Sequence, residues 1–437
     1  MKCAECGLES SREEIFCLAR RSFRTKKRTL CRGCFERRDY KSYRNLFWFY
    51  CAFSAVAAVT AILFTETTLG PILLNVAAIQ AWVFISTVLH ELGHVFAARL
   101  AGLRVFGIEV GMGGVAFDFR LWGFRWLFRS IPFGGFAHAA HRDIRWFRLR
   151  DTLFILGGPA SNLMILFAAQ AALPLDATFD ATSFSGFVPF RTLLVANAML
   201  LVYSLWPHRA QTNRGKLPND GLLLWQTWRR SKSEIEQRPY AFYLCEAQEC
   251  RDMKQSEEAQ RWVEEGLKRF PRNWMLEMMR AANLLELKQY REARRTYVLL
   301  LGRLAKDTGL RTTLLNNIAY TDLLIDDPNL LWEADACSRE AFSQTPWVVY
   351  VKGTRGSVLV ELGDYDEGLK LLQDAFRNHP EKHSQALSAC YIAIGECRRG
   401  DVNEGRNYFS LARRLDQQCL LLDREARETG KLGVLNV

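Results

Sequence analysis

Four long segments without charge crowd between Leu46 and Trp206, and they limit this chain to folds built on membrane-spanning helices. Leu46–Phe64 runs for nineteen residues, Ile72–Leu89 for eighteen and Thr152–Leu173 for twenty-two. Phe187–Trp206 runs for twenty, broken only by Arg191. A helix needs ~20 apolar residues to cross the hydrocarbon of a bilayer. Buried core helices can be as apolar, but four in succession with charge sorted into the loops do not suit a soluble core. Mean hydropathy over the 437 residues is only -0.09. The apolar residues are therefore concentrated in this stretch, and its flanks are charged.

The charge has a sidedness. Net charge is +11, and the basic residues fill the first 45 positions and the loop Arg104–Arg150. The segments Thr65–Pro71 and Pro174–Gly186 carry no Lys or Arg. Cytoplasmic loops hold the excess of Lys and Arg, so the N-terminus, the long loop and the C-terminal half are expected in the cytoplasm. The expectation is a multi-pass protein with about four spans, in a bacterial inner or plasma membrane. The twelve cysteines do not form a secreted disulfide pattern and suit a reducing compartment.

The Arg-rich loop breaks the helical pattern. Gly107, Gly111, Gly113 and Gly114 punctuate alternating stretches such as Val115–Arg120, which predicts short strands or a hairpin. Beyond residue 236 a different period takes over. Ala247 and Ala259 recur 34 residues later as Ala281 and Ala293, and Ala334, Ala341 and Pro346 recur as Gly368, Ala375 and Pro380. Gly405 and Ala412 mark a looser copy. Small residues let paired helices approach and Pro ends the second helix, so the period resembles tetratricopeptide repeats, which serve as scaffolds for protein contact. The segment around Asp326-Asp327-Pro328 carries extra residues between units.

The chemistry centres on His90-Glu91-Leu92-Gly93-His94. Residues four apart share one helix face, so the two imidazoles can bind one metal and leave Glu91 beside a water molecule whose proton it can take. His, Glu and His at the end of an uncharged run are costly unless they bind something. A catalytic zinc site needs a third protein ligand. Asp118, His138, His141, Asp151 and Asp220 are the candidates on the cytoplasmic side. The second and fourth apolar segments both run inward, toward the His pair and toward Asp220. Asp220 equally suits a helix N-cap before Leu222-Leu223-Leu224.

Four motifs together resemble the site-2 protease family. Ser86–Gly102, with the sequence STVLHELGHVFAARLAG, looks like its first active-site helix, and Ile131–Phe136 (IPFGGF) looks like its Gly-rich loop. Gly157-Gly158-Pro159-Ala160-Ser161-Asn162 is similar to the small-residue motif of its middle core helix, and Leu217–Gly221 to its Asp-Gly motif. The order is kept over roughly residues 72–225. The resemblance implies zinc bound by His90, His94 and Asp220, with Glu91 catalytic, and regulated cleavage of transmembrane substrates. The family's Asn-x-x-Pro segment reads Ser204-Leu205-Trp206-Pro207 in this chain, and the stretch from Pro207 to Asp220 is long and polar. A substrate helix must unwind before a peptide bond can be reached. Gly134 and Gly135 could receive the unwound strand by strand addition, and Asn162 could hydrogen-bond the substrate or the oxyanion or equally serve helix–helix packing beside Gly157 and Gly158.

The expected fold is mainly α, in three parts. Residues 41–235 form a polytopic helical membrane protease core with a small β-hairpin loop, and residues 236–430 form an α-solenoid of helix-turn-helix repeats. Residues 1–40 form a zinc-ribbon-like module, in which Cys3, Cys6, Cys31 and Cys34 would hold a structural zinc. The expected partners are a transmembrane protein substrate, a protein or adaptor on the repeats, and the lipid bilayer. Nucleic acid is not expected, because no aromatic-basic stacking pattern occurs. The rival function is an inactive membrane-anchored repeat scaffold, against which the intact His-Glu-x-x-His stands. Replacing Cys3 and Cys6 by Ser should remove about one equivalent of zinc and leave cleavage of a short model substrate largely intact. Metal content by atomic absorption, measured beside that activity, checks it.

Overall fold

A computed structural model of the chain describes residues 69–172, 186–212, 215–304, 308–379 and 381–430, with scattered helical positions between 45 and 59 and two short strands nearer the N-terminus. The strands β1 (Phe16–Ala19) and β2 (Arg28–Cys31) pair antiparallel, Phe16 opposite Cys31. Cys31 thus ends a strand. Cys3, Cys6 and Cys34 lie outside the described residues, as do much of the expected first span and the acidic loop with Asp176 and Asp180. By internal contacts the chain divides into two compact units. One covers 39–254 with 268–271, and the other holds the helices beyond.

In the first unit, helix α1 (Leu69–Leu100) carries the His-Glu-x-x-His segment near its C-terminal end. Helix α2 (Phe147–Ala171) follows the Arg-rich loop, and α3 (Pro189–Leu205) follows α2. Gly70–Leu100 and Phe147–Ala171 are long and apolar enough to cross a membrane, whereas Pro189–Leu205 has 17 residues. Of the four expected spans, two therefore reach full length among the described residues.

Small residues set how closely these helices meet, as they do wherever hydrophobic packing cannot distinguish protein from lipid. A Cβ on Gly93 would come 2.9 Å from the Cβ of Ser161 and closer still to the Gly157 carbonyl. One on Gly157 would come 2.6 Å from the Ala97 Cβ. Arg150 then ties the start of α2 to the end of α1. Its Nε donates to the Ala101 carbonyl at 2.6 Å and its Nη2 to that of Gly102 at 2.7 Å, satisfying acceptors that the helix end leaves free.

The Arg-rich loop is a sheet, as its alternation predicts. β3 (Arg104–Leu121) and β4 (Phe124–Ala140) pair antiparallel with repeated register shifts. Ile108 pairs with both Trp126 and Ala137, and Val110 with both Phe128 and Gly135. The strands therefore fold back on themselves, and the 131–140 stretch pairs with β3 on one side only among the described residues. Val95 and Ala98 of α1, with Ala101 just beyond it, pack on Val105, Ile108, Val110 and Ala137, so the sheet is built onto the helix end that carries the His pair.

After α3, the long polar stretch is a small hairpin, β5 (Arg209–Thr212) with β6 (Gly215–Pro218), which delivers the chain to α4 (Asp220–Arg229). A six-residue α5 (Lys232–Gln237) starts in a capping box of Ser231 and Glu234. Helix α6 (Tyr240–Asp252), which opens the repeat pattern, belongs by contact to this first unit. Arg104 reaches Glu246 at 3.1 Å and Glu249 at 3.2 Å, Arg120 pairs with Glu249, and Arg125 lies 3.4 Å from Asp252. Phe106 meets Phe242 edge-on.

The second unit is a run of antiparallel helix pairs. It comprises α7 (Ser256–Arg269), α8 (Trp274–Glu286), α9 (Tyr290–Leu304), α10 (Thr308–Ile325), α11 (Leu331–Gln344), α12 (Val349–Leu362), α13 (Tyr365–Asn378), α14 (Lys382–Arg399), α15 (Val402–Leu415) and a short α16 (Glu425–Gly430). The small residues that mark the period are all buried. Ala259, Ala281, Ala293, Ala334, Ala341 and Ala412 are fully enclosed, and Gly368 packs against Gly356. The extra residues near Pro328 form a 3-10 turn, Pro328–Leu330, capped by Asp327. The mainly α fold with helical repeats is as the periodicities predict.

Gly157→Ala should destabilise the first unit by about 1–3 kcal/mol, because the added carbon overpacks a backbone contact. Gly353→Ala is the control, since its added carbon meets nothing nearer than 3.7 Å. Thermal unfolding of both variants in detergent checks the difference.

Candidate metal centre

Helical periodicity sets the first part of the site. His90 and His94 project from one face of α1, and their Nε2 atoms lie 3.1 Å apart. Each ring is held by its other nitrogen. His90 Nδ1 donates to Asn162 Oδ1 of α2 at 2.5 Å, and His94 Nδ1 to the Phe154 carbonyl at 2.8 Å. Those acceptors place the protons on Nδ1 and leave both Nε2 lone pairs pointing inward, the arrangement by which outer partners orient metal-binding imidazoles.

The third group comes from α4. Asp220 Oδ2 lies 3.1 Å from His90 Nε2, and Oδ1 lies 3.4 Å from His94 Nε2. Among the described residues these three form the one group of at least three metal-ligating side chains, with ligand atoms all within 4.8 Å of one another. Asp220 is the first residue inside α4, and the N-cap is Asn219, whose side chain accepts from Leu222 N–H.

The other candidate ligands are engaged elsewhere. Asp118 makes a fork with Arg125 at 2.8 and 2.6 Å, and that guanidinium lowers its carboxyl pKa. His141 Nε2 and Asp151 Oδ1 are 3.2 Å apart, and Asp151 Oδ2 also accepts from Thr227 at 2.6 Å and Arg230 at 3.0 Å. His138 lies 3.8 Å from Glu109.

Glu91 is buried. Its Oε2 is buried without a hydrogen-bond partner among the described residues. A buried carboxylate oxygen so left is costly unless something else engages it. Gly135 explains how the strand comes so close, since a Cβ there would fall 2.6 Å from Glu91 Cγ and 2.7 Å from its Cδ. Gly134 has a φ of 72° and open space around it.

Two further features surround the ligands: Gly158, not singled out from sequence as part of the site, and Asn162, expected there as a substrate contact. A Cβ on Gly158 would fall 2.5 Å from His90 Nε2 and closer to His94 Nε2, so only hydrogen leaves the ligand face clear. Asn162, fully buried, gives its amide to Asn197 Oδ1 at 2.9 Å, and Asn197 Nδ2 donates to Ser86 Oγ at 2.9 Å and to the Leu193 carbonyl at 3.0 Å. This chain of amides links α2, α3 and α1 behind His90. Its signal was an Asn inside an apolar run, which is costly without partners.

The residues fit zinc. Two imidazole nitrogens and one carboxylate are a known catalytic set with an open fourth position. Gly158 leaves the space at both ligand nitrogens clear, and Glu91, next to His90 on the same helix, carries an orphaned buried oxygen.

The sequence profile of Peptidase family M50 matches residues 78–388. No curated protein matches the chain. Among solved structures, the chain is similar to TTC0263, a thermophilic TPR protein in Thermus thermophilus, at 17% identity over 43% of this chain and 98% of that one, with a TM-score of 0.35. It is similar to MamA of Desulfovibrio magneticus at 15% identity over 41% and 95%, with a TM-score of 0.30. It is also similar to YrrB, a TPR protein with an unusual peptide-binding site, at 14% identity over 42% and 90%, with a TM-score of 0.28.

Gly158→Ala should weaken zinc at this centre by about 10- to 100-fold, in the range of outer-partner changes at metal sites. Competition with a chelator, read by retained metal, checks it against wild type.

Proposed function

The chain belongs to peptidase family M50, the site-2 protease family, and we propose that it hydrolyses peptide bonds within or near transmembrane segments of substrate proteins. The observation that carries this reading is the unpartnered Oε2 of Glu91, buried beside the converging His90, His94 and Asp220. Zinc held by those three side chains supplies a Lewis acid for the scissile carbonyl and an acidified water.

Each protein group then has a task. Glu91 takes the proton of the attacking water and delivers it to the leaving amine. Asn162 and the Phe154 carbonyl hold the two imidazoles in the tautomer that leaves Nε2 for the metal. With both of its amide atoms engaged, Asn162 serves as a positioning group rather than a substrate contact. A substrate strand unwound from its helix can pair along the open side of the 131–140 stretch, where Gly134 and Gly135 keep side chains out of the way. The carbonyl to be attacked would then lie beside Glu91.

The loop charges support a cytoplasmic location for this end of the bundle, with about four spans in all. The helical repeats offer a surface for a protein partner or adaptor that selects substrates. The four N-terminal cysteines remain a proposed structural zinc site. A silent scaffold role is disfavoured by a ligand set this complete, since every supporting contact would serve nothing.

Glu91→Gln should lower cleavage of a transmembrane model substrate by about a hundredfold or more while zinc stays bound. Cleavage and metal content are measured on the same preparation. An unchanged rate in a metal-loaded variant would sink the protease reading.

A further inference from the structure

Asn219 stands next to Asp220, and its bonds go well beyond those of a helix cap. Oδ1 accepts from Leu222 N–H at 3.1 Å and from His208 N–H at 3.0 Å. Nδ2 lies 2.9 Å from the Tyr203 carbonyl, 2.9 Å from that of Ser204 and 2.7 Å from that of Trp206. It also lies 3.0 Å from His208 Nδ1. Two N–H bonds are thus shared over the last carbonyls of α3 and that of its C-cap Trp206, which have no partner within the helix. The backbone joins in, with Asn219 N–H donating to the His208 carbonyl at 3.0 Å.

The residue on the other side of Asp220 is locked to the same helix end. A Cβ on Gly221 would fall 2.5 Å from the Leu205 carbonyl carbon, so α4 begins pressed onto α3. Helix α3 also carries Asn197, which reaches His90 through Asn162. One helix therefore serves as the common reference for two ligands that are 130 residues apart in sequence. The chain has Ser204 where the family pattern has Asn, and it is Asn219 whose carboxamide sits on the Ser204 carbonyl.

We propose that Asn219 is a positioning residue for the metal centre, which sets the Asp220 carboxylate against the two imidazoles by bracing α4 on the end of α3. The hairpin of β5 and β6 is closed at its base by the same residue, so its length is absorbed without moving Asp220. This inference rests on the reading of Asp220 as third ligand.

The test uses the full chain in detergent, with zinc affinity measured by chelator competition and the cobalt-loaded protein followed by visible absorption. His90→Ala supplies the baseline for metal bound elsewhere. Asn219→Ser keeps a good N-cap for α4 but is too short to reach the three carbonyls. It should weaken zinc at the centre by about tenfold and alter the cobalt spectrum, with the melting temperature of the metal-free protein little changed. A residue that merely caps α4 would move neither reading. Wild-type affinity and spectrum in Asn219→Ser, alongside loss of metal in Asp220→Ala, would overturn the proposal and leave the third ligand standing. Wild-type affinity in Asp220→Ala would overturn both. Should Asn219→Ser fail to fold, Asn219→Thr, also a cap and also too short, is read in the same way.

Discussion

Two imidazoles and a carboxylate side by side in an apolar bundle are costly unless other groups engage them, and that cost shapes what surrounds them. The remaining features of the core follow from that demand. His90 and His94 share a helix face, but sharing a face does not aim a ring. Aim comes from Asn162 and the Phe154 carbonyl on α2. α2 can deliver both only because Gly93 and Gly157 let the two helices touch backbone to backbone. The sheet then packs on the C-terminal end of α1 and brings Gly135 against Glu91.

The parts of this arrangement differ in how far they could be read from residues alone. The His pair and Glu91 are set by a spacing of four on one helix, which is local and legible. So are the strands of the Arg-rich loop, with their alternation and Gly punctuation, and the helical repeats, whose small residues are all enclosed. Asp220 needed topology and resemblance, because a lone Asp before an apolar run suits a cap just as well. The structure separates the two roles between neighbours, giving the cap to Asn219 and the carboxylate to the site.

What sequence could not convey was pairing across distance. Asn162 reads as equally suited to substrate or to helix packing, and nothing local says that its partner is His90, 72 residues earlier. Gly158 reads as a packing residue, while its missing side chain is what leaves room at the ligand nitrogens. The polar stretch before Asp220 looks like a departure from pattern, and it becomes harmless once it folds as a hairpin whose two ends meet.

The ionic contacts of α6 bear on how such a chain can be shuffled over evolutionary time. By its period, α6 is the opening helix of the repeats, yet Glu246, Glu249 and Asp252 are committed to Arg104, Arg120 and Arg125 of the sheet. A recombination event that swapped the array at its periodic seam would bring in a foreign helix and strand those arginines opposite unmatched residues. The compact unit built on the membrane helices therefore runs through residue 254 and takes in 268–271, inside what looks like the neighbouring module. An exchange of arrays that preserves the sheet has to leave the first helix behind, so the repeat count of any descendant is measured from a helix that belongs to the enzyme.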